Sequence, residues 1–312
     1  MEIRGIGETL DFYGRFTSAD QEQPWFWVKD IYRYVYWFEY LALSPSYELA
    51  RRHRAGADLD EKALPDDFDE VLAVYDDLGD VQHTLFRHWW RNVGLRNFGF
   101  SCEKPKVWLV GKTGDGIDPD PDLVNELGYF FEEEWLDYGE QETMILAVPV
   151  GLTNSEIANG LAEIVQRLGL EHQALKPSPA KYSLAEGRFR ADALRRYHRA
   201  ALYQTMNPKH PHWKVRTDAF ASRDTPTETP DMEERKNLAN GARRWIETAR
   251  MIAENAARGS FPKYDIQPHA LRFDYPDLRE RIIRRYEWQD REAKRETQKL
   301  ERSTRAALSV GR

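Results

Sequence analysis

The sequence predicts a mainly α protein: a helical N-terminal domain, then a small α/β element leading into a helical, helix-turn-helix-like C-terminal domain. Three observations predict this. Residues 25–43, "WFWVKDIYRYVYWFEYLAL", are aromatic almost all round, the signature of a helix buried on every side. Residues 144–150, "MILAVPV", form an apolar, β-branched run followed directly by a capped amphipathic stretch, a strand–turn–helix pattern. From Phe189 onward, apolar residues at helical spacing alternate with basic ones.

The first helix meets a break at Ser44-Pro45, because the residue before proline avoids the helical region. The same pair reads as the N-cap and first position of a second helix, "PSYELARRHR", which Gly56 stops. Val71, Leu72, Tyr75 and Leu78 continue the helical pattern, and Leu85, Phe86, Trp89 and Trp90 extend it beyond Gly79. A short strand is expected at 106–110. The following "VGKTGDG" lacks the first glycine of a phosphate loop, since Lys106 stands in its place. The acidic run after Asp115 lacks the central glycine of a calcium loop, where Asp120 stands, and reads as solvated loop.

After the predicted strand, Thr153 or Asn154 caps a helix whose stripe is Ile157, Leu161, Ile164, Val165 and Leu168, with Gly169 as its stop. A linker follows. Then come a basic helix around 188–203, a turn "MNPKHPHW", and a long helix with Leu238, Ala242, Trp245, Ile246, Ala249 and Ile252 on one face. Gly259 and Pro262 end that helix. The last segment is helical and charged, with its apolar strip confined to Leu278–Trp288. Three regions result: an acidic, aromatic-rich helical domain at 1–140, the strand–helix element with the basic helical domain at 141–270, and a charged helical tail at 271–312.

The chain has 312 residues, of which 41% are hydrophobic, so a sizeable core is available. Its single cysteine excludes an internal disulfide and a cysteine-based zinc site. The N-terminus lacks the pattern of a signal peptide, and no run approaches the ~20 apolar residues of a membrane span. A cytoplasmic protein is expected.

Charge divides unevenly. Residues 1–150 hold 14 Lys and Arg against 30 Asp and Glu, a net −16; residues 151–312 hold 31 against 22, a net +9. Within 189–216 stand ten Lys, Arg or His residues and one Asp. Such a segment in an acidic chain points to a polyanion, because clustered cations attract phosphate backbones. The expected contacts are Arg188, Arg190, Arg195, Arg196, Arg199, Lys209, Lys214 and Arg216, with DNA rather than RNA as the partner. A continuous positive face built from 188–216 and 236–258 is expected; the opposite outcome is that carboxylates of the first half neutralise the cations of the second half inside the fold.

The stretches "WFEYLALSPSYELARR" and "ARRWIETARMIAENAARGSFP" resemble transcriptional-regulator-like proteins of bacterial integrative elements and plasmids. Trp37, Glu39, Leu41, Pro45 and Tyr47 carry the early part of the resemblance; Gly259, Phe261 and Pro262 carry the helix stop. The resemblance implies non-catalytic DNA binding by a regulatory or accessory protein of a mobile element. One alternative is a protein–protein assembly component anchored by exposed Trp25, Trp27, Trp89 or Trp90. Another is a metal-dependent nicking enzyme using His210 and His212, with Tyr197 or Tyr203 as nucleophile, although the proline between the histidines opposes a central strand. The residue pattern implies no cofactor and assigns no metal ligand or catalytic residue.

Overall fold

The computed structural model describes residues 22–28, 30–101, 107–112, 121–135, 143–169, 180–185, 189–220 and 230–310. In chain order the helices are α1 (Tyr32–Leu43), α2 (Pro45–Arg54), α3 (Phe68–Leu78), α4 (Phe86–Trp89), α5 (Pro121–Tyr129), α6 (Asn154–Arg167), α7 (Ala191–Met206), α8 (His212–Asp218), α9 (Met232–Ala256) and α10 (Tyr275–Val310). A π-helical turn at Trp90–Gly94 carries α4 on into Leu95–Asn97. The chain forms two compact units: 1–97 with 182–312, and 98–181.

In the larger unit, every residue of α1 from Tyr34 to Leu43 is buried. The aromatic run is therefore a central helix. Trp37 stacks on Phe261 with ring centroids 5.4 Å apart, and Phe38 meets Phe86 and Trp89 at 5.6 and 5.1 Å. The punctuation acts as its chemistry dictates. Ser44 Oγ accepts the Tyr47 N–H at 3.1 Å, which caps α2. Gly56 and Gly79 follow α2 and α3 with φ of 78° and 68°, a left-handed conformation that a side chain resists.

Buried ion pairs join α1 and α2 to the C-terminal helices. Arg285 of α10 makes a two-pronged contact with Glu39 of α1 at 2.8 and 3.0 Å and donates to the Val81 carbonyl at 3.0 Å. Glu254 of α9 is fully buried; it accepts from Ser44 Oγ at 2.6 Å, Ser46 Oγ at 2.5 Å and the Leu271 N–H at 3.2 Å. Arg258 binds Glu254 at 3.0 Å and grips Asp67 at 2.6 and 2.7 Å. These contacts tie segments that the sequence assigns to separate regions into one body.

Hydrogen bonding to Arg258 holds the Asp67 carboxyl below the usual carboxylate range. The folded value lies below the unfolded value of about 3.9, so this stabilisation is complete above that pH and disappears as pH falls through the folded value. Asp67→Asn is therefore expected to lower the urea midpoint at pH 7 and to flatten its fall on acidification below about pH 4. An unchanged midpoint at pH 7 in urea titrations would refute this.

In the 98–181 unit, α5 leads into a π-helical turn at Phe130–Glu134. A capping box starts α6: the Thr153 hydroxyl accepts the Glu156 N–H at 3.3 Å, and Glu156 accepts the Thr153 N–H at 2.8 Å. No residue of α6 is buried, although its apolar stripe is as the spacing predicts. The α/β element is not formed. Among the described residues there is no strand; a lone bridge pairs Leu184 with Phe261, and both 107–110 and 144–149 are irregular. Apolar β-branched residues favour extended backbone, but a strand exists only through hydrogen bonds to a second segment. None of the described residues supplies one, and Ile145, Val148 and Val150 are exposed. Among the described residues the fold is mainly helical, without a sheet component.

The last helix, α10, runs for 36 residues and spans the apolar strip and the charged segment alike. Among the described residues no helix is long and apolar enough to cross a membrane.

Candidate nucleic-acid interface

Helices α7 and α8 are joined by the five residues 207–211, and both pack on α9. A small core of Ala200, Tyr203, Val215, Ala219, Ala242 and Ile246 holds the three together, with Phe220, Trp245 and Phe273 against its edge. Alanine at positions 200, 219 and 242 lets the backbones approach. The hydroxyl of Tyr203 links the ends of α7 and α8, lying 3.0 Å from His210 Nδ1 and donating to Asp218 at 2.8 Å. Burial and the Asp218 bond raise the phenol pKa, so it remains a donor at neutral pH.

On this core lies a layer of arginines and aromatic rings. The Arg216 guanidinium sits 3.8 Å from the Trp245 ring centroid, and that of Arg196 lies 5.3 Å from the same ring. Arg199 covers Phe220 at 5.2 Å. Farther along, Lys214 and Arg235 approach the Trp213 ring at 5.8 and 5.1 Å. Cation–π contacts of this kind contribute about 0.5–2 kcal/mol each and fix the plane of a guanidinium without neutralising it. A concavity of about 440 Å³ opens beside α7, lined by Asp192, Arg195, Arg196, Arg199 and Phe220.

Among the described residues the positive charge is only partly compensated. Arg195 pairs with Asp192 at 3.0 Å on the exposed side of α7. Among the described residues, Arg196, Arg199 and Arg216 have no carboxylate partner, and Arg199 Nε is buried without a hydrogen bond. Burial, then the neighbouring Arg195, lowers the Arg199 pKa; burial, then Arg196, lowers that of Arg216. Burial and Arg243 likewise depress His212. Like charges are thus held close together. Two carboxylates of the first half do neutralise cations of the second half inside the fold, Glu39 on Arg285 and Asp67 on Arg258, whereas no such pair is formed by Arg196, Arg199 or Arg216 among the described residues.

Of the eight expected contacts, the fold brings Arg195, Arg196, Arg199 and Arg216 to one surface. Arg188 lies outside the described residues. Arg190 is exposed at the N-terminus of α7, and Lys209 is exposed in the turn. Lys214 belongs to the Trp213 group. The reading of the sequence missed Arg235 and the aromatic platforms Trp213, Phe220 and Trp245; Trp245 was assigned to a core face. Gly241 carries the overlooked signal. A Cβ there would stand 2.4 Å from Arg216 Nη1, so the glycine leaves the groove in which the guanidinium lies, one turn before Trp245. Gly241→Ala is expected to displace Arg216. Alanine gains roughly 0.8–1.0 kcal/mol of helix propensity, and loss of the stacked contact offsets about as much, so the melting temperature changes little while anion affinity falls. Thermal unfolding and binding assays on the variant check both halves.

One expectation is corrected. Trp25, Trp89 and Trp90 are buried in the large aromatic cluster around α1, because rings of this size contribute more to a core than to an exposed face; Trp27 is partly buried. They are not exposed anchors. The 210–212 segment is a turn entering α8, with His210 engaged by Tyr203. Among the described residues no group of three or more His, Cys, Asp or Glu is placed to hold a metal ion.

Comparison with known proteins finds no matching family model, no matching curated protein and no matching solved structure.

Proposed function

We propose that the chain is a non-catalytic DNA-binding regulatory or accessory protein whose α7–α9 surface takes the phosphate backbone. One observation carries the reading: Arg196, Arg199 and Arg216 stand together, oriented by aromatic rings, with no carboxylate among the described residues to neutralise them. Guanidinium forks match phosphate oxygens, and stacking them in advance lowers the entropy lost on binding. The ring faces of Trp245 and Trp213 are occupied by cations, which favours phosphate contact over base stacking. The setting in a bacterial mobile element rests on the resemblance of the 37–47 and 259–262 stretches to regulator-like proteins. Fluorescence anisotropy with duplex DNA over a salt series tests the proposal. Affinity falls linearly on a log–log plot, by about 0.9 per phosphate engaged. Absent or salt-independent binding would overturn it.

A further inference from the structure

The concavity beside α7 differs from an open basic face. Among the described residues, Arg195, Arg196 and Arg199 line one space of about 440 Å³ together with Asp192 and Phe220. Positions 195 and 199 are one helical turn apart, and 196 lies beside 195, so the three side chains leave the same stretch of α7. Asp192 is committed to Arg195. Among the described residues Arg196 and Arg199 carry no such commitment, and the buried Arg199 Nε has no acceptor.

We infer that this concavity binds a terminal phosphomonoester, the phosphorylated end of a nucleic-acid strand or a free nucleotide. The inference rests on the nucleic-acid reading of the same surface and specifies which phosphate enters. A phosphodiester within a strand offers two unbridged oxygens and one negative charge. A phosphomonoester offers three oxygens and about −1.5 to −2 charges at pH 7, which suits three forks around one locus. Its compactness lets it enter a concavity that a continuous backbone only crosses. The depressed basicity of Arg199 beside Arg195 agrees with this geometry, since a dianion relieves the repulsion between them.

The experiment measures anisotropy of two labelled oligonucleotides of one sequence, with a 5′-phosphate or a 5′-hydroxyl, against the full chain. The phosphorylated strand is expected to bind at least about tenfold tighter, with the preference growing as pH rises through about 6, where the monoester takes its second charge. Arg199→Gln removes the preference. Arg199→Lys retains the charge but loses the fork, and restores only part of it; circular dichroism establishes that both variants are folded. Unlabelled inorganic phosphate and nucleoside monophosphate are then used as competitors. Displacement by the monophosphate at the strand's own affinity assigns the site to free nucleotides, and failure to displace assigns it to strand ends. Equal binding of the two strands overturns the monoester site and leaves general DNA binding standing. Absence of binding by either strand removes both.

Discussion

Replacing Arg196, Arg199 and Arg216 together by glutamine is expected to weaken duplex DNA binding on the order of a hundredfold at low salt. Each guanidinium–phosphate contact contributes about 1 kcal/mol or more, and three such contacts correspond to roughly two decades in affinity. The salt dependence is the sharper measure. Losing three phosphate contacts lowers the log–log slope by about 2.7, whatever the absolute affinity. Stability should scarcely change. Among the described residues these side chains make no carboxylate pair, so the variant breaks no ion pair there, and relief of like-charge repulsion offsets the lost ring contacts. A variant that melts normally and binds DNA with an unchanged slope would exclude this surface.

The opposite profile is expected at the buried pair. Glu39 and Arg285 are 1% and 3% exposed and bonded at both prongs. Glu39→Leu leaves a guanidinium stranded in the core, and Arg285→Met strands a carboxylate. Either single change is expected to destabilise the protein by about 3–5 kcal/mol, because an uncompensated buried charge costs more than the pair contributes. The double variant, Glu39→Leu with Arg285→Met, is expected to recover most of that loss, apart from the unpaired Val81 carbonyl. Urea unfolding of the four proteins completes the cycle. Single variants within about 1 kcal/mol of the parent would show that the pair is solvated rather than buried. At temperatures where the folded state persists, these variants keep their DNA salt slope. On the proposed reading the two arginine groups have separable roles.

The particular residues explain what was legible. Ser44-Pro45, Gly56, Thr153 with Glu156, and Gly169 each mark a helix boundary from local chemistry alone, and the helices begin and end beside them, whereas Gly79, across which the spacing runs on, ends α3. The aromatic density of 32–43 announced a buried helix for the same reason: no exposed helix presents large rings on every face. The 144–150 run shows the limit. Its composition states a preference for extension, and pairing depends on a partner segment that composition does not name. The cationic segment shows the limit again. Arg258 and Arg216 look alike in the chain, yet one is bound to Asp67 across 191 positions and the other lies on Trp245.

What the sequence by itself determined is most of the helices and their stops, though not α5, which it reads as solvated loop, or α8, which it reads as a turn, and the concentration of positive charge in 189–216, since propensity, capping and composition act over a few neighbouring residues. Only the tertiary structure decided which arginines are paired with carboxylates and which, among the described residues, are not. That choice depends on carboxylates and rings brought near from distant positions, and Coulomb and packing energies depend on separation in space, not along the chain.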